Sequence, residues 1–378
     1  MAAFHQVGFN SANLLRDPEL AEYRGVILSP VNYAEAKVAT QVASMREHPV
    51  LDSWFDAQLY VPTSERGKLR TWSYFPTDVD TADQSSDAWW ISIVEKLVEC
   101  CSRLGVAAVC SPAVLSRQYS DDYFATLIST GQELARRVAG TGMRPVQTVV
   151  VGMNDLAIEN RLLSIASILT RSDIQEIYLV FIGTLEPRRE LSDVEEITGA
   201  MRLIRLLSRA GYRVTVGYSS SDMLLWKHAG ALNCATGKFF NLRRFTRSRF
   251  EEPASGGGQQ PYWFEEQLLA FLREGDLIRI ARAGLLSDSS SRNPFAAGIL
   301  AKVNGSTGGA WLGDSWRQYL WWFADAEARV SAGDEGVVPA MLTGAEAGWR
   351  QIAGKVPMEE RPNDGAWIRQ WQRACLEA

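Results

Sequence analysis

Residues 238–250 bring positive charges and aromatic rings together in one short segment. The sequence there, KFFNLRRFTRSRF, interleaves cations with phenylalanines. Guanidinium groups form paired hydrogen bonds with phosphate oxygens, and aromatic rings stack on nucleobases. The segment therefore predicts contact with a phosphorylated small molecule or a nucleic acid. The alternative is a solvated helix face that pairs with nearby acids such as Glu251. The residues concerned are Lys238, Arg243, Arg244, Arg247, Arg249, Phe239, Phe240, Phe245 and Phe250.

Three carboxylates are candidates for acid–base or glycosyl-bond chemistry. Asp155 closes an apolar run, where partial burial would suit it to general acid–base catalysis. The alternative is that it caps the helix that follows. Asp56 and Glu186 could supply the second carboxylate that glycoside cleavage requires, although Glu186, directly before Pro187, also fits an exposed position. We predict Asp155, Asp56 and Glu186 as the catalytic candidates.

Other polar side chains stand along or after apolar runs, where they could contact a ligand. Lys238 is the most reactive of them, since a lysine at a strand end can bind phosphate or form a Schiff base. Its alternative role is that of an ordinary solvated lysine. The predicted ligand-binding residues are Asn32, Gln58, Tyr60, Asn154, Tyr218, Asn233, Lys238, Arg243 and Arg244.

The composition argues against several classes of function. The chain has 378 residues, a net charge of −5 and a pI of about 5.5, which gives no general attraction to nucleic acid or anionic membranes. Its three histidines, His5, His48 and His228, have no metal-binding spacing, so we expect neither a metal nor another cofactor. Its five cysteines lack C-x-x-C spacing, which predicts reduced thiols. With no secretion signal and no membrane-length apolar run, the sequence predicts a cytoplasmic protein without a membrane partner.

The elements that must position these residues alternate between strand and helix. Nearly continuous apolar runs such as VQTVVVGM and IYLVFIG are typical of strands covered by helices on both sides. The pattern predicts an α/β protein, a (β/α)8 TIM-like barrel with one strand undetected. An open doubly wound sheet is the alternative, but neither G-x-G-x-x-G nor G-x-x-x-x-G-K-[ST] supports it. The seven predicted strands are 25–32, 56–62, 106–115, 144–155, 174–184, 212–220 and 231–240.

Three regions follow from this pattern: a lead-in at 1–24, the barrel at 25–285, and a helical, Trp-rich extension at 286–378 packed on the barrel. Residues 264–284 are predicted as the last barrel helix. In the extension, a helix at 310–330 carries Trp316, Tyr319, Trp322 and Phe323 at helical spacing. These rings favour core packing, with a surface for a protein partner or a ligand as the alternative.

Barrel geometry explains why the dispersed polar residues could form one site. Parallel strands share a direction, so their carboxyl-terminal ends meet at one mouth, where TIM-barrel sites lie. We therefore expect Asn32, Asp155, Tyr218 and Lys238 at the same end of the molecule, beside the arginine-bearing segment 238–250. The eighth strand is not located by the pattern.

Residues 216–245, VGYSSSDMLLWKHAGALNCATGKFFNLRRF, resemble the region of tRNA-guanine transglycosylases in which a strand, a short helix and a D-C-x-x-P-T-R strand follow one another. FIGTLEP, at 181–187, is similar to that family's glycine-rich loop, so the resemblance spans 181–245. It implies that Asn233 stands where the family has its nucleophilic aspartate and that Cys234 matches, whereas the Pro-Thr-Arg part and the zinc-binding cysteines do not. The resemblance thus implies nucleotide or nucleic-acid ligands without the family's standard base exchange.

Together these features predict a barrel that binds a phosphorylated or nucleotide-like ligand at its mouth. Its enzymatic form would be a glycosyl-bond transferase or hydrolase that works without metal. The alternative is a non-catalytic barrel that serves as a binding or scaffold subunit of a multi-protein complex, with a protein partner on the C-terminal helical region.

Overall fold

The computed structural model describes residues 2–45, 51–80, 82–251, 259–305, 309–359 and 363–378. Eight parallel strands form a closed barrel in chain order, and the first strand pairs with the eighth. This confirms the predicted TIM-barrel fold. The strands are β1 Ala2–Gln6, β2 Tyr23–Leu28, β3 Asp52–Phe55, β4 Ala108–Cys110, β5 Arg144–Gly152, β6 Glu176–Ile182, β7 Arg213–Val216 and β8 Asn233–Thr236.

The strand absent from the predicted set is β1, which lies inside the stretch 1–24 that the pattern indicated as a lead-in. It pairs with β2 and β8, and all five of its residues are buried. Its sequence, AAFHQ, ends in two polar residues that are both buried: Gln6 accepts a hydrogen bond from Tyr178 Oη at 3.1 Å inside the barrel, and His5 lies against Tyr23. Buried polar residues broke the apolar pattern that reveals the other strands.

The second predicted strand, 56–62, is wrong by a few residues. The strand itself is β3, and the alternating stretch after it is a buried loop. Gln58 has a φ of 47°, which ends the extended conformation. Asp56, Gln58 and Tyr60 alternate with apolar residues, but the polar and the apolar side chains are all buried in this loop, so the alternation does not mark a pleated strand.

Helices cover the outside of the barrel, and the predicted helix 264–284 is wrong in its first half and matches α8, Glu274–Arg282, in its second. A two-stranded antiparallel sheet, β9 Trp263–Glu265 with β10 Ala270–Leu272, occupies its first half, because Leu269 turns the chain at a φ of 50°. The helices of the barrel region are α1 Glu35–Met45, α2 Asp87–Leu104, α3 Asp121–Val138, α4 Met153–Leu156, α5 Glu159–Leu169, α6 Val194–Arg209, α7 Met223–His228 and α8 Glu274–Arg282.

The C-terminal region is helical and packs on the barrel. Its helices are α9 Asp288–Ser291, α10 Ala296–Val303, α11 Leu312–Ala332, α12 Val337–Ile352 and α13 Ala366–Glu377. Tyr319, Trp322 and Phe323 are buried on α11, as core packing requires, whereas Trp316 is partly exposed. A fully buried ion pair joins α7 to α11, with Lys227 Nζ 2.8 Å from Glu327 Oε1. Within the described residues, no helix is long and apolar enough to cross a membrane.

Candidate functional site

A cavity of about 840 Å³ opens at the carboxyl-terminal end of the strands. Its volume lies in the range typical of small-molecule sites, roughly 300–1,000 Å³. The loops after β1, β2, β3, β6 and β8 line it together with the start of α11. Among the described residues, its cations outnumber its single carboxylate, that of Glu251. The cations are Arg66, Arg188, Lys238, Arg243 and Arg249.

Lys238 lies two residues after the end of β8 and places its ammonium group among aromatic rings. Nζ lies 4.0 Å from the ring centroid of Trp316 and 4.6 Å from that of Phe239. It donates a hydrogen bond to the backbone oxygen of Asn10 at 3.3 Å. Burial lowers the pKa of Lys238 to about 8, because the charged form loses hydration. An anion beside Nζ would restore part of that lost solvation.

Arg243 is held by backbone and aromatic contacts, and among the described residues it has no carboxylate within ion-pair distance. Its guanidinium carbon lies 3.6 Å from the ring centroid of Tyr319, and its Nε and Nη2 donate to the backbone oxygens of Gly237 and Lys238, each at 2.9 Å. Burial lowers the pKa of Arg243 to about 10. These contacts fix the orientation of the guanidinium group but leave its charge unneutralised.

Arg249 lies between the cavity and the centre of the barrel. Its Nη2 donates to Ser29 Oγ at 3.1 Å, and within the described residues its buried Nε has no hydrogen-bond partner. Burial lowers the pKa of Arg249. In the part of the chain that the structure describes, none of Lys238, Arg243 and Arg249 has a carboxylate oxygen within ion-pair distance. Within the described residues, no carboxylate therefore forms an ion pair with these three cations, although Asp56 attracts Arg249 and Glu190 attracts Arg243 over a longer distance.

Four predicted site residues, Asp56, Gln58, Tyr60 and Tyr218, meet in the centre of the barrel instead of lining this cavity. Asp56 accepts hydrogen bonds from Gln58 N at 3.0 Å and from Tyr60 Oη at 3.0 Å, and Gln58 Nε2 donates to Tyr218 Oη at 3.2 Å. Burial raises the pKa of Asp56 to about 6, although these hydrogen bonds oppose the shift.

A phenylalanine separates this central cluster from solvent. The ring of Phe245 packs edge-on against Tyr60 and Tyr218, at centroid distances of 5.1 and 5.2 Å. Gln58 and Tyr218 both have positive φ, 47° and 54°, which is uncommon outside glycine and often marks a functional site. Asp56 is thus a shielded carboxyl with a raised pKa, out of reach of a ligand in the cavity as the loop stands.

Arg244 points away from the cavity and belongs to a separate polar group. Its Nη2 lies 3.4 Å from Asp222 Oδ2, while its Nε and Nη1 are buried without partners among the described residues. Nearby, Glu190 Oε2 accepts a hydrogen bond from Ser221 Oγ at 2.9 Å. Burial raises the pKa of Glu190 to about 7, against the attraction of Arg244. No sequence motif marks Glu190, which follows β6 by several residues.

The remaining predicted residues lie apart from the cavity. Asn154 and Glu186 are exposed and Asp155 is partly exposed. Helix α4 starts at Met153, immediately after β5, and it carries Asn154 and Asp155 to the outside of the mouth. Asp155 lies within this short helix and is not its N-cap. The predicted acid–base trio is therefore not assembled.

Asn233 requires a correction, because it lies at the opposite end of the barrel. It is the first residue of β8, where its Oδ1 accepts from Ala2 N at 2.9 Å and its Nδ2 donates to Thr215 Oγ1 at 3.1 Å. The predicted strand, 231–240, began too early, so the position within the strand was misjudged. Asn233 links β1, β7 and β8 through its side chain and does not line the cavity.

The cavity also contains residues that the sequence did not indicate. Of the predicted ligand-binding residues, Asn32, Lys238 and Arg243 line it, and so do Phe9, Arg66 and Arg188, for which we predicted no role. Arg188 Nη1 donates to Tyr262 Oη at 2.8 Å. Phe9 follows the undetected strand β1, so only correct placement of that strand could have brought it into the predicted site. Within the described residues, no group of three or more potential metal-binding side chains occurs.

No protein-family model matches the chain, and no curated protein matches its sequence. Solved structures share the fold. The chain is similar to 3-hexulose-6-phosphate synthase at 14% identity, over 63% of this chain and 90% of that one, with a TM-score of 0.34. It is similar to L-ribulose 3-epimerase at 12% identity, over 95% and 100%, with a TM-score of 0.36. A GH18 chitinase from Pseudoalteromonas aurantia matches at 10% identity, over 64% and 95%, with a TM-score of 0.40. At these identities the likeness is one of fold alone.

Proposed function

We propose that this TIM barrel binds a phosphorylated small molecule, including the nucleotide-like class, in the cationic cavity at its mouth. One observation carries the proposal: among the described residues, Lys238, Arg243 and Arg249 line the cavity and hydrogen-bond to backbone or hydroxyl oxygens, and none of them forms an ion pair with a carboxylate. Placing unneutralised charge in a partly buried cavity costs free energy, which a phosphate would recover through charge-assisted hydrogen bonds.

A small molecule fits these features better than a nucleic acid does. The cations line a concave cavity and do not form an open strip, and the net charge of the chain is −5. Nucleic-acid sites need many phosphate contacts along a surface, since affinity for the backbone grows with the number of contacts. The resemblance to tRNA-guanine transglycosylases remains a proposal and adds no residue to this site, because Asn233 lies at the other end of the barrel.

Binding without turnover is the second candidate function, and one observation favours it. The carboxylate that lines the cavity, Glu251, is exposed and lies 3.4 Å from Arg247, while Asp56 is shielded by Phe245. A glycosyl-bond transferase or hydrolase would require the loop after β8 to move and expose Asp56. A scaffold role in a larger complex would require no such motion. Turnover of a bound phosphate ester, abolished in Asp56→Asn, would support the enzymatic form.

Isothermal titration calorimetry with ribose 5-phosphate tests the binding proposal. Replacing Lys238 with Gln removes a charge-assisted contact of roughly 1.5–3 kcal/mol, so we expect affinity to fall by about tenfold or more. Lys37, exposed on α1, provides the matched control Lys37→Gln, which should bind as the unmodified protein does. Equal affinities of the two variants, or no binding by the unmodified protein, would refute the proposal.

The lowered pKa of Lys238 gives a second readout at the same site. Above pH 7 a phosphate monoester is already largely dianionic, since its second pKa is about 6. The ammonium group of Lys238 loses its proton near pH 8, so affinity should decline between pH 7 and 9. The decline should be absent in Lys238→Gln. A pH profile that is the same in both proteins would exclude Lys238 from the anion site.

A further inference from the structure

Phe9 is an exposed aromatic residue on the wall of the cationic cavity. It is 53% exposed, more than any other phenylalanine, tyrosine or tryptophan among the described residues, and it lines the cavity. A single exposed apolar side chain is common on protein surfaces and by itself needs no explanation. Phe9 needs an explanation because it lies beside cations that form no ion pair among the described residues and because its surroundings are rigid.

The surroundings of Phe9 hold its ring in place. The rings of Phe9 and Tyr33 are stacked, with centroids 6.0 Å apart and planes 16° from parallel. Tyr33 Oη donates to Asn10 Oδ1 at 2.9 Å and accepts from Asn10 N at 2.6 Å, while Trp72 Nε1 donates to the backbone oxygen of Tyr33 at 3.0 Å. A positive φ of 50° at Asn10 turns the chain directly after Phe9. Phe9 and Tyr33 therefore form a pre-organised aromatic platform.

The platform is joined to the cation that the proposed function places on the phosphate. Lys238 Nζ donates to the backbone oxygen of Asn10 at 3.3 Å, one residue from Phe9. A phosphate at Lys238 would thus lie beside the platform. A stacking surface held rigid before binding loses little entropy when a ring lies on it.

We propose that the cavity selects phosphate esters that carry a planar, π-bonded ring, and that Phe9 is the residue on which this ring stacks. This inference rests on the proposed function, since the phosphate of the same ligand is assigned to the cations. It narrows the ligand from phosphorylated compounds in general to nucleoside monophosphates and compounds of similar shape. Sugar phosphates without a ring of this kind would bind through the phosphate alone.

Calorimetric titrations with adenosine 5′-monophosphate and ribose 5-phosphate separate the two contributions. We expect the nucleotide to bind about tenfold more tightly than the sugar phosphate, as one aromatic stacking contact allows. Phe9→Ala should remove that advantage without changing the affinity for ribose 5-phosphate, and Phe9→Tyr should retain it. Ile91→Ala, at another exposed apolar position, is the matched control and should change neither affinity.

The outcomes distinguish this inference from the proposed function. Equal affinity of the unmodified protein for both ligands, or equal losses for both ligands in Phe9→Ala, would overturn the stacking role while leaving phosphate binding intact. Nucleotide affinity unchanged in Phe9→Ala would do the same. Failure of both ligands to bind would overturn the proposed function and this inference together. Because Phe9 is exposed, its variants should fold as the unmodified protein does. Circular dichroism of the variants checks this and separates a loss of ligand affinity from a loss of folding.

Discussion

Replacing Asp56 with Asn should change how the stability of the protein depends on pH. Asp56 is fully enclosed beneath Phe245, and burial raises its pKa to about 6, whereas an aspartate in the unfolded chain titrates near 3.9. The folded protein therefore binds this proton more tightly than the unfolded chain does. The stability that Asp56 contributes is present below about pH 4 and is lost as the pH rises through 6.

The magnitude follows from the two pKa values. A difference of about 2 pH units corresponds to about 3 kcal/mol in the free energy of unfolding, of which roughly 2 kcal/mol is lost between pH 4 and 7.5. Asn cannot ionise, so the variant should lack this loss. Its absolute stability is less informative, because the new amide group adds a buried donor whose desolvation costs about 1–3 kcal/mol.

Urea denaturation at pH 4, 5, 6 and 7.5 measures the effect. The quantity to compare is the free energy of unfolding of the unmodified protein minus that of Asp56→Asn, since contributions from Glu190 and His5 cancel in this difference. It should fall by about 2 kcal/mol from pH 4 to 7.5. Asp122→Asn, an exposed position on α3, is the control and should give a flat difference. A flat difference for Asp56→Asn as well would refute the account of a desolvated carboxyl.

Two further predictions concern packing. Lys227→Met leaves the buried carboxylate of Glu327 without its ion-pair partner and should cost about 3–5 kcal/mol of stability. The double variant Lys227→Met, Glu327→Leu should recover most of that loss. Chemical denaturation of both variants checks this, and a double variant as unstable as the single one would contradict it. Gly199→Ala would place a Cβ 2.0 Å from the backbone oxygen of Leu156 and should destabilise by about 1–3 kcal/mol, whereas Gly344→Ala, in open space on α12, should stabilise by about 0.5–1 kcal/mol. Thermal unfolding compares the two, and a stabilised Gly199→Ala would show that α6 does not pack so closely on α4.

The fold was predictable where burial on both faces of the sheet made strands uniformly apolar. In β5, Val149, Val150 and Val151 are fully buried, and their neighbours on β6 give the same pattern. The pattern failed at β1, where Gln6 faces the interior and is stabilised by a tyrosine hydroxyl from across the barrel. That contact joins residues far apart in sequence, and no local periodicity predicts it.

The candidate site was predictable where a residue lies within a few positions of the end of a detected strand. Asn32 follows β2 and Lys238 follows β8, and both line the cavity. The predicted strand 144–155 included Asn154 and Asp155, but β5 ends at Gly152, and helix α4 begins at once and turns both residues outward. Whether a chain turns inward or outward after a strand depends on the packing of the next element, and the sequence of the strand end does not determine it.

The segment after β8 separates the cationic cavity from the central cluster that contains Asp56. Lys238 and Arg243 face the cavity, whereas Phe245 turns the other way and fills the mouth of the barrel over Tyr60. One loop thus supplies cations to the cavity and also shields Asp56 from solvent. Arg249 belongs to both sides, since it lines the cavity while donating to Ser29 in the centre. An anion at Arg249 would weaken the attraction that this guanidinium exerts on the Asp56 carboxylate, so ligand binding should raise the pKa of Asp56 further and be accompanied by proton uptake near pH 6.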